Sequence, residues 1–318
     1  LVYTVNRVYE LSDFNDIVFH RLPKKLADVF ASKWPEANYF NIGKEDNILK
    51  ILIKGIASRL KYLWLSSRKI LLTRKFRKDT SNPLEILYFG FWDWSVKQDA
   101  EGNLVDKYYK KLPSNLRDKG ISRQGWLVLF DPHSEPSSKG RSMKDAIPKT
   151  CKHNEIFFLQ SYMSLVDLFK EVIRIKPLLI YLSYKKKIHS ELNINEFDLY
   201  PLFRQELLYR FLDSSIPHLR LIELATKRAC LDLAPKITIN FLETYPFSRA
   251  CYVGVQEYNC DIKNIAMQHA SRNDESLFFR MHPKKEYSIG DDGDSIPKAD
   301  YIFTMGELGS RLVAESGY

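Results

Sequence analysis

Short, continuously apolar runs alternate with helical stretches along most of the chain. The first three runs are residues 84–92 (LEILYFGFW), 125–130 (GWLVLF) and 177–183 (PLLIYLS). Three more follow at residues 236–242 (KITINFL), 262–268 (IKNIAMQ) and 299–305 (ADYIFTM). Runs of this length that end at polar or turn-forming residues are typical of buried strands. The alternation predicts an α/β fold with a mostly parallel sheet of five to seven strands and helices on both faces.

Helical patterns fill the segments between these runs. We expect helices over residues 154–175 and 202–233, and a third over residues 246–258 (PFSRACYVGVQEY). Pro246 suits the first turn of that third helix, where no backbone N–H donor is needed. A last helix is predicted over residues 307–316 (ELGSRLVAES).

Residues 48–78 form a different kind of segment. They hold ten Lys or Arg and no acid, with apolar residues at intervals of three and four. This pattern predicts a basic amphipathic helix, with Gly55 as a weak point at which it could divide. Two interpretations stay open: a helix that lies on an anionic membrane surface, or one packed on its own domain with a solvated basic face. The break KDTSNP then separates a largely helical, peripheral extension (residues 1–79) from a sheet domain (residues 80–318).

Composition limits the class of protein. The 318 residues are 45% hydrophobic, which is typical of a globular chain, and no apolar run reaches the roughly 18 residues of a membrane span. The four cysteines show no C-x-x-C spacing and the chain is too long to need a disulfide framework, so we expect a cytoplasmic protein. A peripheral position at the inner face of the plasma membrane follows only from the first interpretation of the basic helix. The net charge of +9 predicts an anionic partner. Nucleic acid is not expected, because zinc-finger, RNP and helix-turn-helix signatures are absent.

Ligands of parallel sheets bind outside the carboxyl ends of the strands. Polar residues follow the predicted strands at Asp93, Asp131, Ser183, Glu243, His269 and the pair Gly306-Glu307. Asp131 precedes Pro132 and is better explained as a turn residue. Glu243 and His269 each end a strand directly, which favours a role in ligand binding over a purely structural one.

The order of three segments resembles a known family. The segments are YFGFWDWSV…DKYYKKLP, then LYPLFRQELLYRFLDSS, then FLETYPFSRAC…IAMQHA…KADYIFTMGELGSRLVAESGY. They resemble bacterial surface-carbohydrate biosynthesis proteins associated with O-antigen lipopolysaccharide and capsule, which are similar to glycosyltransferases of the two-domain GT-B architecture. The resemblance covers residues 84–318 and implies a Rossmann-like, acceptor-side domain. The donor-binding domain is then missing, so we expect this chain to be a fragment that is inactive by itself.

The resemblance implies a glycosyltransferase that moves a sugar from a nucleotide-sugar donor to a lipid-linked or growing surface polysaccharide. Two alternatives stay open: a polyol-phosphate transferase or sugar epimerase of the same architecture, and a non-catalytic module that binds membrane or glycan. The sequence lacks G-x-G-x-x-G and G-x-x-x-x-G-K-[ST] motifs. Neither a cofactor nor a metal is expected, since enzymes of this architecture often stabilise the leaving phosphate with helix N-termini and basic side chains.

Three residues are candidates for catalysis. Asp93 is the first choice for a general base, because Trp92 and Trp94 can stack on a sugar ring and raise the carboxylate pKa by desolvation. Its alternative role is to cap the next turn. Glu243 is the second candidate base, or else the ion-pair partner of Arg249. His269 can act as a base or as a phosphate ligand.

Further residues are candidates for substrate and phosphate binding. Residues 278–285 (FFRMHPKK) concentrate Arg280 and His282 in a loop that could meet a phosphate, or that could simply be a solvated basic loop. Arg249 and Glu307 complete the predicted binding set.

Overall fold

The computed structural model describes residues 18–20, 24–33, 38–40, 47–78, 82–92, 96–98, 104–129, 155–194, 197–241, 246–259, 261–268 and 298–315. The chain groups into two compact units. The first comprises Leu1–Tyr62 and Val172–Ile216, and the second comprises Leu63–Glu171 and Pro217–Tyr318. Residues 172–216 therefore group with the N-terminal segment, whereas the sequence pattern had assigned them to the sheet domain.

The described residues form short strands and longer helices. The strands are β1 (Val18–His20), β2 (Asn38–Phe40), β3 (Ile86–Phe91), β4 (Val96–Gln98), β5 (Leu104–Asp106), β6 (Gln124–Leu129), β7 (Ile156–Phe158), β8 (Asn193–Ile194), β9 (Phe197–Asp198), β10 (Ile237–Phe241), β11 (Lys263–Met267) and β12 (Tyr301–Phe303). The α-helices are α1 (Lys24–Lys33), α2 (Ile48–Thr73), α3 (Leu112–Asp118), α4 (Leu165–Ile173), α5 (Lys176–Glu191), α6 (Tyr200–Leu212), α7 (Ser215–Leu233), α8 (Pro246–Tyr258) and α9 (Gly306–Glu315).

A six-stranded sheet, all parallel, organises the second unit. Its spatial order is β7-β6-β3-β10-β11-β12. Numbered by their order along the chain, these strands read 3-2-1-4-5-6, which is the order of a doubly wound Rossmann-like sheet. The predicted α/β class and the mostly parallel sheet are confirmed.

Side chains of β11 show that both faces of this sheet are covered. Ile265 and Met267 pack into a cluster that we call the first-face core. Ala266, which lies between them, packs on the other face with Tyr252 of α8 and Leu312 of α9. The first-face core consists of Ile86, Tyr88, Val96, Tyr109, Trp126, Val128, Ile156, Phe158, Ile239 and Phe241, with α3 residues Leu112 and Leu116 packed against it. The alternation follows from the two-residue period of a strand.

Two of the predicted elements are wrong. Residues 177–183 belong to α5 and do not form a strand. A seven-residue apolar run cannot separate a strand from a helix by periodicity, and Pro177 stands in the first turn, where helices accept it. The predicted helix over residues 154–175 instead begins with β7, and its α-helical part is limited to α4.

Residues 202–233 also differ from the single helix predicted there. They form most of α6 and all of α7, which are divided at Asp213 and Ser214. The Asp213 carboxylate accepts hydrogen bonds from the backbone N–H of Ser215 (2.8 Å) and from its hydroxyl (3.0 Å). Hydrogen bonds of this kind favour the start of a new helix, α7, over the continuation of α6.

The predicted basic helix is confirmed as α2, which is uninterrupted over 26 residues. Gly55 does not interrupt the helix. It packs closely on Leu212, because a Cβ atom at position 55 would lie 2.7 Å from the Cβ of Leu212. In the described part of the chain, no helix combines the length and the apolar character needed to cross a bilayer.

Candidate active site

The strand order reverses between β3 and β10, and we call the region beyond the end of their pairing the crevice. The two strands pair only over Ile86–Tyr88 and Ile237–Ile239. Beyond that point β3 continues with β6 as far as Phe91, and β10 continues with β11 as far as Phe241. In doubly wound sheets ligands bind where the strand order reverses, outside the carboxyl ends. The candidate site therefore lies between the ends of β3 and β10.

The three predicted catalytic residues follow three adjacent strands in the sequence. Asp93 stands two positions after the end of β3, Glu243 two positions after β10, and His269 two positions after β11. β3, β10 and β11 are consecutive neighbours in the sheet, with about 5 Å between adjacent strands. The three residues themselves lie outside the described residues, and so do Trp94, Arg280 and His282.

The other three predicted residues are described. Trp92 is half-buried, donates its backbone N–H to the carbonyl of Leu129 (3.0 Å), and packs its ring edge-on against Phe158, with 6.4 Å between centroids. Arg249 is half-buried in the first turn of α8, the helix that follows β10. Glu307 is exposed in the first turn of α9, after β12, which lies two strands or about 10 Å from β10. Arg249 thus belongs to an element of the crevice. Trp92 follows β3, but its ring packs towards β7, on the side of β3 away from β10, and Glu307 also lies outside the crevice.

Aromatic rings gather at the crevice. We define the crevice aromatic cluster as Phe91, Tyr108, Phe241 and Phe247. Phe91 contacts Phe247 (centroids 4.6 Å apart) and Phe241 (6.3 Å), and Tyr108 stands edge-on to Phe241 (5.0 Å). Phe91 and Tyr108 are half-buried, whereas Phe241 and Phe247 are buried. Aromatic rings of this kind can pack against the C–H groups of a sugar ring.

Tyr109 closes the floor of the crevice. Its ring is buried, and its hydroxyl lies 2.9 Å from the carbonyl of Phe89 in β3 and 3.1 Å from the carbonyl of Ile239 in β10. These carbonyls belong to the two strands at the point where their pairing stops. The Tyr109 hydroxyl therefore donates to both strands at the point where backbone pairing between β3 and β10 ends.

Asp106 fixes the position of this tyrosine. Its carboxylate accepts the backbone N–H groups of Tyr108 (2.8 Å) and Tyr109 (2.9 Å) and the indole N–H of Trp126 (3.0 Å). Burial raises the pKa of the Asp106 carboxyl, and these three hydrogen bonds lower it in part. Sequence analysis missed both Asp106 and Tyr109. An Asp followed two residues later by an aromatic pair was the available signal, because Asp favours turns of this kind.

The start of α8 gives the crevice a positive end. The first N–H groups of a helix lack intrahelical partners and attract anions. Asn240 lies next to this first turn, buried, with its Oδ1 accepting from the backbone N–H of Phe241 (2.8 Å) and from Ser248 Oγ (3.4 Å). Arg249 and the helix start thus offer cationic and dipolar groups that attract an anion. Comparisons of this chain with protein-family models, with curated proteins and with solved structures found no match.

Proposed function

We propose that this chain is the acceptor-side half of a glycosyltransferase that moves a sugar from a nucleotide-sugar to a lipid-linked or growing surface polysaccharide. One observation carries the proposal. The strands that end directly before Asp93 and Glu243 are the two strands on either side of the crevice. A transferase needs a base beside the acceptor hydroxyl, and a carboxylate after either of these strands would supply it where ligands of such sheets bind.

In the proposed reaction, Asp93 takes the proton of an acceptor hydroxyl. The oxygen then bonds to the anomeric carbon of the donor, while the bond from that carbon to the nucleoside diphosphate breaks and the electron pair leaves with the phosphate. Glu243 is the alternative base. The N-terminus of α8, Arg249 and His269 would stabilise the charge that develops on the leaving group.

The aromatic cluster would orient the sugar. The half-buried Phe91 and Tyr108 would pack against the sugar ring, and the buried Tyr109 would exclude water beneath it. Orientation of this kind lowers the barrier by holding the reacting atoms close to one another.

A donor screen on the full-length protein tests the proposal. UDP-, GDP- and CMP-sugars, together with a CDP-polyol, are incubated with a lipid-linked acceptor, and release of the nucleotide is followed. We expect acceptor-dependent release from one nucleotide-sugar. Release from the CDP-polyol alone would favour the polyol-phosphate transferase. Absence of release with every donor would favour a non-catalytic module.

Substitution at the strand ends tests the roles of the two carboxylates. We expect Asp93→Asn or Glu243→Gln to lower kcat by roughly 10²- to 10⁴-fold, as loss of a general base does, with an unchanged circular dichroism spectrum. Asp118→Asn, an exposed carboxylate at the end of α3, is the matched control and should keep full activity. His269→Ala should raise the KM for the donor more than it lowers kcat. Full activity in both carboxylate variants would contradict the assignment.

A further inference from the structure

An apolar stripe runs along the exposed side of α2. Each of its residues is more than half exposed: Leu49, Ile53, Ile56, Leu60, Trp64 and Leu71. At 100° per residue, these positions fall within an arc of about 80° and extend over about 33 Å of helix. This is one continuous surface rather than a set of scattered exposed residues.

A different face of the helix supplies the packing. Ile51, Tyr62 and Ile70 are buried, and Gly55 lies against Leu212. These positions lie about 80° to 180° around the helix from the middle of the apolar stripe. The stripe is therefore additional to the surface that holds α2 in the fold.

A basic row borders the stripe. Lys50, Lys54, Lys61 and Arg68 are exposed and fall within an arc of about 40° along one edge of it. The Arg68 guanidinium lies 6.0 Å from the centroid of the Trp64 ring, so the row and the stripe are in contact. Residues 48–78 themselves contain no acidic side chain.

We propose that this face of α2 binds the surface of a bilayer that contains anionic lipid. The apolar stripe would enter the boundary between headgroups and acyl chains, with Trp64 at the interface, while the basic row would meet the lipid phosphates. The positive charge of the basic row favours an anionic partner over an uncharged one. An uncharged apolar partner gives no reason for four cations along one edge, and α2 offers no acid with which a second copy could pair them.

The inference does not depend on glycosyl transfer, so it can be tested without a donor. The full chain is mixed with vesicles of phosphatidylcholine alone, or with equal parts of phosphatidylcholine and phosphatidylglycerol, and the bound fraction is measured by flotation. We expect binding to the mixed vesicles that weakens as salt is added, and little binding to phosphatidylcholine alone.

Two pairs of variants separate the stripe and the row from the rest of the surface. Leu60→Ser should weaken binding roughly tenfold, whereas Leu231→Ser should not change it, although the two leucines are 59% and 61% exposed. Lys61→Gln with Arg68→Gln should weaken binding roughly 25-fold at low salt, about fivefold per charge. Lys119→Gln with Lys236→Gln removes the same charge from exposed positions elsewhere and should have little effect.

Three results would overturn the proposal. The first is the absence of binding to the mixed vesicles. The second is an equal loss in the α2 variants and in their controls. The third is a lipid-free dimer that Leu60→Ser dissociates, which would assign the stripe to a second copy of the chain.

Discussion

At the scale of single residues, Tyr109 tests how the crevice is held open. Replacement by Phe keeps the ring and removes the hydroxyl, so the carbonyls of Phe89 and Ile239 lose their shared donor. We expect the free energy of unfolding to fall by about 1 to 3 kcal/mol. Urea denaturation measures the change. Tyr301→Phe, at an exposed position in β12, is the control, and an equal effect of the two changes would contradict the role given to Tyr109.

Asp106 allows a prediction about pH. Burial raises the pKa of its carboxyl in the folded state above the unfolded value of about 3.9. Between the unfolded and the folded pKa, Asp106 holds a proton more often in the folded state than in the unfolded state. Its contribution to the free energy of unfolding therefore falls as the pH rises from the first value to the second. Asp106→Asn does not titrate. The difference in free energy of unfolding, Asp106→Asn minus the unsubstituted chain, should therefore rise between the two pKa values and be constant at higher pH. A difference that does not change with pH would show that the pKa of Asp106 is not raised.

The adjacency of the strands that precede the three candidate catalytic residues could be predicted from sequence, for a physical reason. Asp93, Glu243 and His269 were chosen because a parallel sheet brings strand ends to one edge, and the strands before them are indeed adjacent. Asp106 and Tyr109 were missed. Their role depends on where β3 and β10 stop pairing, and those strands are about 150 positions apart in the chain.

At the scale of elements, Arg59 joins α2 to helix ends that come much later in the sequence. Its guanidinium donates to the carbonyls of Leu212 (2.7 Å), Val172 (2.9 Å) and Arg174 (2.9 Å), and more weakly to those of Phe211 and Asp213 (both 3.2 Å). Helix ends leave carbonyls without partners, and one planar cation satisfies several of them here. Burial lowers the pKa of Arg59, and the nearby Asp213 raises it in part.

Removal of this cation should cost stability. We expect Arg59→Gln to lower the free energy of unfolding by about 3 kcal/mol, since hydrogen bonds from a charged donor are the strong ones. Arg59→Lys should recover only part of the loss, because an ammonium group cannot reach the same set of carbonyls. Arg68→Gln on the exposed side of the same helix is the control. If Arg59→Gln unfolds at the same urea concentration as that control, these contacts do not hold the helix.

The wrong assignment of residues 177–183 also belongs to this scale. PLLIYLS has the length and apolar content of a strand, but the helix continues through YKKKIHSE. Its exposed positions include Leu179, Ile180 and Leu182, so burial was not the reason for the apolar run. A pattern that assumes burial cannot recognise an exposed apolar helix.

At the scale of the whole molecule, the sheet predicts an order of local stability. β3 and β10 lie in the middle of six strands, whereas β12 is an edge strand whose Tyr301 and Phe303 are exposed. Amide hydrogen exchange should therefore be slowest in β3 and β10 and faster in β12. The measurement is peptide-resolved exchange followed by mass spectrometry. Protection of β12 equal to that of β10 would be contrary to this order.

The α/β class followed from periodicity alone, but the strand order did not. Order depends on which strands pair, and pairing is decided by packing across the whole sheet. The fold class was therefore within reach of the sequence, while the position of the crevice required the structure.

The link from Arg59 to Leu212 has a consequence for the time course of synthesis. The two residues are 153 positions apart, and the first unit consists of the two separated segments that contain them. A ribosome that adds about 5 to 20 residues per second needs roughly 8 to 30 s to cover that distance. Throughout this interval Ile51 and Tyr62, which are buried in the finished protein, belong to a unit whose second segment has not yet emerged. Residues 1–62 are thus made well before residues 172–216, and the unit that the two segments form cannot finish folding until the second has emerged.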